Sequence, residues 1–400
     1  MRNCDWEQRK LEDLAESFNY GLNASAMEFD GENKYIRITD IDEYSHRFIE
    51  SGLTSPNTDL SNADDYLLKE GDILFARTGA SVGKSYQYEP LDGKVYYAGF
   101  LIRARIKPEF HSSFIFQNTL TEKYNNFIKI TSQRSGQPGV NAQEYANFSI
   151  MVPSRGEQVK LGNFFKQLDN TIALHQRKLE KSKALKSAYL SDMFPAEGDR
   201  KPKRRFAGFT DDWEQRKLKE LTEVITKGTT PKDKSGKGSI NFVKVENINK
   251  SSGEIDIKSK ITENEHEGYL KRSQLKDGDI LFSIAGTLGR TAIVKKELLP
   301  ANTNQALAII RLDEGDKNYI TTFLNGRAAE DFIKKNPTVG AQPNLSLEQV
   351  GNLLIEIPSL EEQTKIGSFF KQLDDTIALH QHKLEKLKNI KQAYLNELFV

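Results

Sequence analysis

Apolar positions alternate at spacings of four and three along one stretch: Leu161, Phe165, Leu168, Ile172, His175 and Leu179, then Leu185 and Tyr189 after a shift of phase. That period is the seam of a long coiled-coil helix. The stripe returns as Ile366, Phe370, Leu373, Ile377, His380, Leu384, Leu387, Ile390 and Tyr394, with Lys, Glu, Gln and Asp on the outer face. The surrounding residues are near-copies, GNFFKQLDNTIALHQRKLEKSKALKSAYLSDMF over 162–194 and GSFFKQLDDTIALHQHKLEKLKNIKQAYLNELF over 367–399. Two such stripes in one chain can satisfy each other. One follows each half, so an approximate two-fold relation between the halves predicts an antiparallel pair. At about 1.5 Å per residue, each helix spans roughly 50 Å.

Upstream of each helix the pattern becomes short β-rich runs punctuated by Gly, Asn, Asp and Pro: YIRIT, DILFA, GFLIRARI and FSIMVP in the first half, FVKV, DILFSI, ALAIIRL and LLIEIP in the second. Each half also predicts one amphipathic helix, Ser112 to Thr131 and Tyr319 to Lys335. The openings repeat as well, Asp5-Trp6-Glu7-Gln8-Arg9-Lys10-Leu11 against Asp212-Trp213-Glu214-Gln215-Arg216-Lys217-Leu218. The expected fold is α+β, with two β-rich α/β domains separated by an antiparallel pair of long coiled-coil helices in a pseudo-two-fold internal repeat. The boundaries fall at 1–153 and 212–358 for the domains, 154–195 and 359–400 for the helices, and 196–211 for a basic linker.

Length agrees, since 400 residues exceed what one core usually organises. The net charge is only +1, so an anion-binding face has to be local. Cys4 is the single cysteine and reads as an incidental thiol. No apolar run approaches 18 residues, and a reducing, cytoplasmic setting is expected. The linker cluster Arg200, Lys201, Lys203, Arg204 and Arg205 reads as a solvated charge run, with phosphate contact as the alternative.

Candidate chemistry is sparse. Gly79-Ala80-Ser81-Val82-Gly83-Lys84-Ser85 is one residue short of a phosphate-binding loop, and the following Tyr86-Gln87-Tyr88-Glu89-Pro90 is poor helix material. The counterpart is Gly286-Thr287-Leu288-Gly289-Arg290-Thr291. These read as glycine loops presenting basic and hydroxyl groups. A nucleotide-dependent enzyme built on Gly79 to Ser85 is the alternative, and a coiled-coil adaptor without DNA is another. No zinc, nucleophile-elbow or dinucleotide motif is present, and the carboxylates are scattered. No catalytic or metal-ligating residue is therefore assigned. His175 and His380 read as polar seam positions that fix register. The outward residues Lys166, Gln167, Gln176 and Lys178 recur as Lys371, Gln372, Gln381 and Lys383. Packing between the helices does not require that, whereas an equivalent external partner on each half does.

The IPS/VPS-plus-EQ segments leading into FFKQLDxTIALHQxKLEKxK, the DWEQRKL openings, the GDILF strands with their glycine loops, and the loops Ser135-Gly136-Gln137-Pro138 and Gly340-Ala341-Gln342-Pro343 together resemble a specificity subunit of a type I restriction-modification system. The likeness covers nearly the whole chain. It implies two target-recognition domains on double-stranded DNA and two bound modification methyltransferase subunits. Restriction endonuclease subunits would complete the assembly. S-adenosylmethionine, ATP and Mg would then belong to those partners, with no cofactor on this chain.

In such a protein, phosphate contacts fix register and base edges supply sequence, through Arg, Lys, Asn, Gln and hydroxyl side chains on loops. The DNA-binding candidates are Arg37, Thr39, Arg77, Thr78, Lys84, Gln133, Arg134, Ser135 and Gln137 in the first domain. In the second they are Lys244, Glu246, Ser283, Arg290, Thr338, Gln342 and Asn344; the methyltransferase-facing candidates are the eight outward helix residues. Arg37 becomes Lys244 and Arg77 becomes Ile284, which predicts an asymmetric, bipartite target.

Overall fold

The computed structural model describes residues 6–134, 136–196, 198–233, 235–336 and 344–399. The chain divides into two compact units, Met1–Gln176 with Lys383–Val400, and Arg177–His382. The long helices Arg155–Asp192 and Leu360–Leu398 each contribute residues to both.

The first unit is built on an antiparallel sheet in the order Ala15–Tyr20, Leu101–Ile106, Asp72–Ala76, Ser85–Gln87. The second repeats it with Thr222–Lys227, Leu307–Leu312, Ile280–Ser283 and Thr291–Ile293. The repeated openings close each unit, Glu7–Lys10 pairing with Ser149–Val152 and Glu214–Lys217 with Leu354–Ile357. The GDILF runs are framework too. Asp72 and Asp279 are buried and each holds an arginine through two bonds of 2.8–2.9 Å, Arg105 and Arg311 respectively. The preceding Gly71 and Gly278 have φ of 94° and 86°, a region that favours glycine.

The single amphipathic helix expected in each half is two. Ser112–Asn118 and Glu122–Thr131 are separated by Thr121, whose hydroxyl accepts from Tyr124 N as an N-cap. Lys317–Leu324 and Arg327–Lys335 are separated at Asn325-Gly326. The YIRIT run is also shorter as a strand, ending at Ile36 before a turn over Ile38–Asp40.

The EQ segment has a mechanical explanation. Buried Gln158 donates to Pro153 O at 2.8 Å and accepts from His111 N at 3.0 Å, tying the last strand to a short helix. Gln363 does the same with Pro358 O and Asp316 N, at 2.9 and 3.0 Å. Glycine at 162 and 367 lets those short helices touch the long ones, since a Cβ would overlap the His111 ring at the first and lie 2.7 Å from Tyr319 N at the second.

Within each unit the two long helices run antiparallel. In the first, Phe164 packs on Tyr394 and Asp169 pairs with Lys391, so partners retreat as the chain advances. In the second, Lys186 pairs with Asp374 and Tyr189 packs on Phe369. The expected shift of phase does not occur. Leu185 is 41% exposed, and the seam passes unbroken from Leu179 through Ser182, Lys186 and Tyr189 to Met193. A lysine holds the core position there because an aspartate faces it.

Candidate functional site

Four chain segments meet beside the sheet in the first unit. Arg77 N donates to Phe100 O at 3.1 Å, Val140 N to Arg77 O at 2.9 Å, Gly79 N to Pro138 O at 3.0 Å, and Leu22 N to Tyr97 O at 2.8 Å. On this frame the Arg77 guanidinium lies 4.9 Å over the Tyr20 ring, a cation–π contact that pre-orients its donors. Tyr20 Oη accepts from Ala142 N at 3.2 Å. Gln137 is exposed, and its Nε2 lies so close to Gly79 that a Cβ there would come within 2.9 Å. Phe100, 60% exposed, completes the face.

Two buried phenols hold this loop. Tyr145 Oη donates to Ala76 O at 2.7 Å and Tyr124 Oη to Gly83 O at 2.8 Å. Burial pushes both phenols well above their ordinary range, so they remain protonated donors.

The second unit repeats the backbone and changes the side chains. Ile284 N donates to Ala306 O at 2.9 Å, Leu345 N to Ile284 O at 2.8 Å, and Thr229 N to Thr303 O at 2.9 Å. Where the first unit has Tyr20, Arg77, Gly99 and Phe100, the second has exposed Lys227, buried Ile284, exposed Gln305 and half-buried Ala306. Further polar groups join Lys227 and Gln305: Thr230 bonds Gln305, Arg272 reaches Thr229 Oγ1 at 3.4 Å, and Lys232 Nζ sits 4.6 Å over the exposed Tyr269 ring.

Of the residues selected from sequence, Arg77, Thr78 and Gln137 come together on the first face, Thr78 bridging to Gly139. Gln133 is exposed nearby in sequence, and Asn344 is exposed and bridges Ala285. Ser283 is a correction. It is fully buried, its hydroxyl donating to Thr287 O and accepting from Arg290 N, both at 2.7 Å, so it shapes the loop from inside. Lys84 and Arg290 are half-buried and braced by backbone. Lys84 Nζ donates to Ile41 O at 3.0 Å and Arg290 Nη1 to Ile248 O at 2.8 Å, one clamp made twice.

Arg37 is bidentate to Asp40 at 2.8 Å, Thr39 donates to the same carboxylate at 3.2 Å, and Arg134 is held by Glu144 and by the carbonyls of Thr131 and Gln133. Those two arginines brace turns. Lys244 N is capped by Asn247 at 2.8 Å, and its Nζ lies 3.9 Å from exposed Glu246. Ser135, Thr338 and Gln342 lie outside the described residues. Sequence reading missed Tyr20, Phe100, Lys227, Lys232, Tyr269, Arg272 and Gln305. The available signal was a side chain changing class beside a glycine in one or both halves, as in Tyr20-Gly21 against Lys227-Gly228.

The glycine loop leads into the strand Ser85–Gln87 and not into a helix, which removes the phosphate-loop geometry. Among the described residues no group of three or more His, Cys, Asp or Glu is placed to hold a metal ion.

The profile of the family described as type I restriction modification DNA specificity domain matches residues 3–183 and again 210–389. The chain belongs to this family. It is similar to the type I restriction enzyme MjaVIII specificity subunit of Methanocaldococcus jannaschii, at 21% identity over 98% of this chain and 92% of that one. It is also similar to the Escherichia coli type I restriction enzyme EcoBI specificity subunit, at 26% identity over 47% of this chain and 41% of the other. The crystal structure of a type I restriction-modification S subunit from M. genitalium shares the fold, with a TM-score of 0.71 at 14% identity, covering 100% of this chain and 97% of that one.

As a specificity subunit of a type I restriction-modification system, the chain is a non-catalytic component. Its two matched segments are the two halves recognised from the internal repeat. Along the helices of the specificity subunit, Gln167, Lys178, Gln372 and Lys383 are exposed. Lys166 pairs with Glu89 at 3.1 Å and Lys371 with Asp375 at 2.5 Å. Gln176 is half-buried, and Gln381 donates to Ser251 Oγ at 3.3 Å. No helix among the described residues is long and apolar enough to cross a membrane.

Proposed function

We propose that the two units of this specificity subunit read two different halves of one asymmetric, bipartite DNA target. The observation that carries this reading is the duplicated backbone frame bearing unlike side chains: Tyr20, Arg77 and Phe100 against Lys227, Ile284 and Ala306. Identical frames present their side chains at equivalent places. Unlike donors and apolar groups at those places favour unlike base edges.

In this reading, residues 1–153 and 212–358 are the target-recognition domains. The helices over 154–195 and 359–400, with the linker 196–211, set the spacing between half-sites. Their repeated exposed residues offer two like surfaces to two modification methyltransferase subunits, and restriction subunits join that core. S-adenosylmethionine, ATP and Mg belong to those partners, and the assembly works on DNA in the cytoplasm.

Single-molecule methylation sequencing of DNA treated with the assembled methyltransferase tests it. The expected product is a two-part target with unlike halves. Replacing residues 12–150 with those of another recognition unit should change one half only. A palindromic target, or both halves surviving the exchange, would sink the proposal.

A further inference from the structure

Each unit contains a second duplicated feature, a cavity beside its glycine loop. In the first, a cavity of about 460 Å³ opens between the glycine loop, the turn around Arg47 and the two long helices. In the second, a cavity of about 450 Å³ lies between Gly289, Lys250 and the corresponding helix segments. The walls match: Gly83 with Gly289, Ile128 with Ile333, Ile172 with Ile377, and Leu395 with Leu190. Two lysines per cavity match as well, Lys391 with Lys186 and Lys388 with Lys183.

The charges divide into a compensated pair and an uncompensated remainder. Lys391 is paired with Asp169 at 2.7 Å and Lys186 with Asp374 at 2.5 Å. Lys388 makes no ion pair among the described residues, its Nζ lying 5.5 Å from the Tyr44 centroid. Arg47 and Lys84 donate to neutral oxygens, Asn170 Oδ1 at 2.6 Å and Ile41 O at 3.0 Å. In the second cavity, Lys183 and Lys250 make no ion pair among the described residues. Glu43 in the first wall and Glu330 in the second leave both cavities net positive.

We propose that each cavity takes one backbone phosphate of the DNA duplex, with Lys388 in the first unit and Lys183 in the second as the principal cations. The inference rests on the reading that both units engage DNA. Faces that differ between units suit a ligand that differs, and cavities whose apolar walls and paired lysines recur suit a ligand that is the same in both halves. Phosphate is the part of duplex DNA that does not vary with sequence. The loops also make the cavity contiguous with the reading face, because Gly79 borders Gln137 while Ala80 to Gly83 line the cavity.

The test measures duplex affinity of the methyltransferase-assembled protein between 50 and 200 mM salt, on target and unrelated sequences. The variants are Lys388→Ala/Lys183→Ala and, as the charge-preserving control, Lys388→Arg/Lys183→Arg. The alanine pair should weaken both duplexes by the same several-fold factor, with the salt slope shallower by about 1 per cavity. The methylated sequence should stay unchanged, and the arginine pair should behave as the parent. Unaltered affinity and slope overturn the proposal. So does weaker methyltransferase retention with an unaltered slope, which would make the cavities protein-docking sites. A change in the methylated bases overturns it too. Failure of the unsubstituted assembly to bind any duplex would instead remove the underlying reading of the two faces.

Discussion

Lys391 Nζ lies 2.7 Å from Asp169 Oδ1, linking the two long helices within the first unit at a point where both side chains are about four-fifths buried. Lys186 and Asp374 repeat the contact in the second, where burial pushes the aspartate up and the lysine opposes that rise. Removing one member leaves the other poorly solvated. Lys391→Met should destabilise the first unit by about 1–3 kcal/mol, the lower part of the buried-pair range because some solvent reaches the pair. Asp169→Leu with Lys391→Met should restore most of the loss. Hydrogen exchange across 160–176 and 383–399 reads both outcomes, and equal protection in parent and single variant would contradict the assignment.

Gly162 and Gly367 sit in helices, where alanine is ordinarily favoured by about 1 kcal/mol. Close packing reverses the sign. At 162 the obstacle is chiefly the His111 ring, which can move; at 367 it includes backbone, with Tyr319 N 2.7 Å from the added carbon. Gly367→Ala should therefore cost more than Gly162→Ala, about 2–3 against about 1 kcal/mol, in the range of overpacked sites. Thermal unfolding of both variants checks the order, and stabilisation by either would be incompatible with the crossing described.

His46 Nδ1 bonds Ser85 O at 3.0 Å, and its pKa is lowered first by burial, then by Lys391 and Lys84, with the Ser85 bond and Asp169 opposing. The folded state thus prefers the neutral ring. Its contribution is fully present above the ordinary histidine value near 6.5 and is lost as pH falls through the depressed folded value. Below pH 6.5 the first unit should lose up to about 1.4 kcal/mol per pH unit from this group. His46→Asn tolerates the φ of 54° and should flatten that slope in melts between pH 7.5 and 5.

Arg77→Ala and Phe100→Ala should relax discrimination in one half of the target and leave the other intact. Lys227→Ala and Gln305→Ala should do the reverse. A lost bidentate base contact corresponds to about 1–3 kcal/mol, visible as degenerate positions in methylation sequencing. Degeneracy spread over both halves by a single substitution would separate these residues from base reading.

Much of the frame was legible because it is periodic or repeated. The four-three spacing marked both long helices, and the duplicated Asp72/Asp279 and Gln158/Gln363 marked positions whose bonds recur in both units. The reading faces were less legible. Arg37, Lys84, Arg77 and Arg134 look alike along the chain, yet only Arg77 lies over an aromatic ring on an open face. Arg37 is held by Asp40, Lys84 by Ile41 O and Arg134 by Glu144.

The amino-acid sequence by itself determined two copies of one framework, long helices with a coiled-coil seam, and the family to which the chain belongs. Helical period and repetition are local properties, and a string of residues records them completely. Only the tertiary structure decided that Lys186 continues the seam where Leu185 was expected, that Ser283 is inside, and that Tyr20, Phe100 and Gln137 share a face with Arg77. Whether a polar side chain is available to a ligand depends on which groups the fold brings beside it, and those partners come from distant parts of the chain.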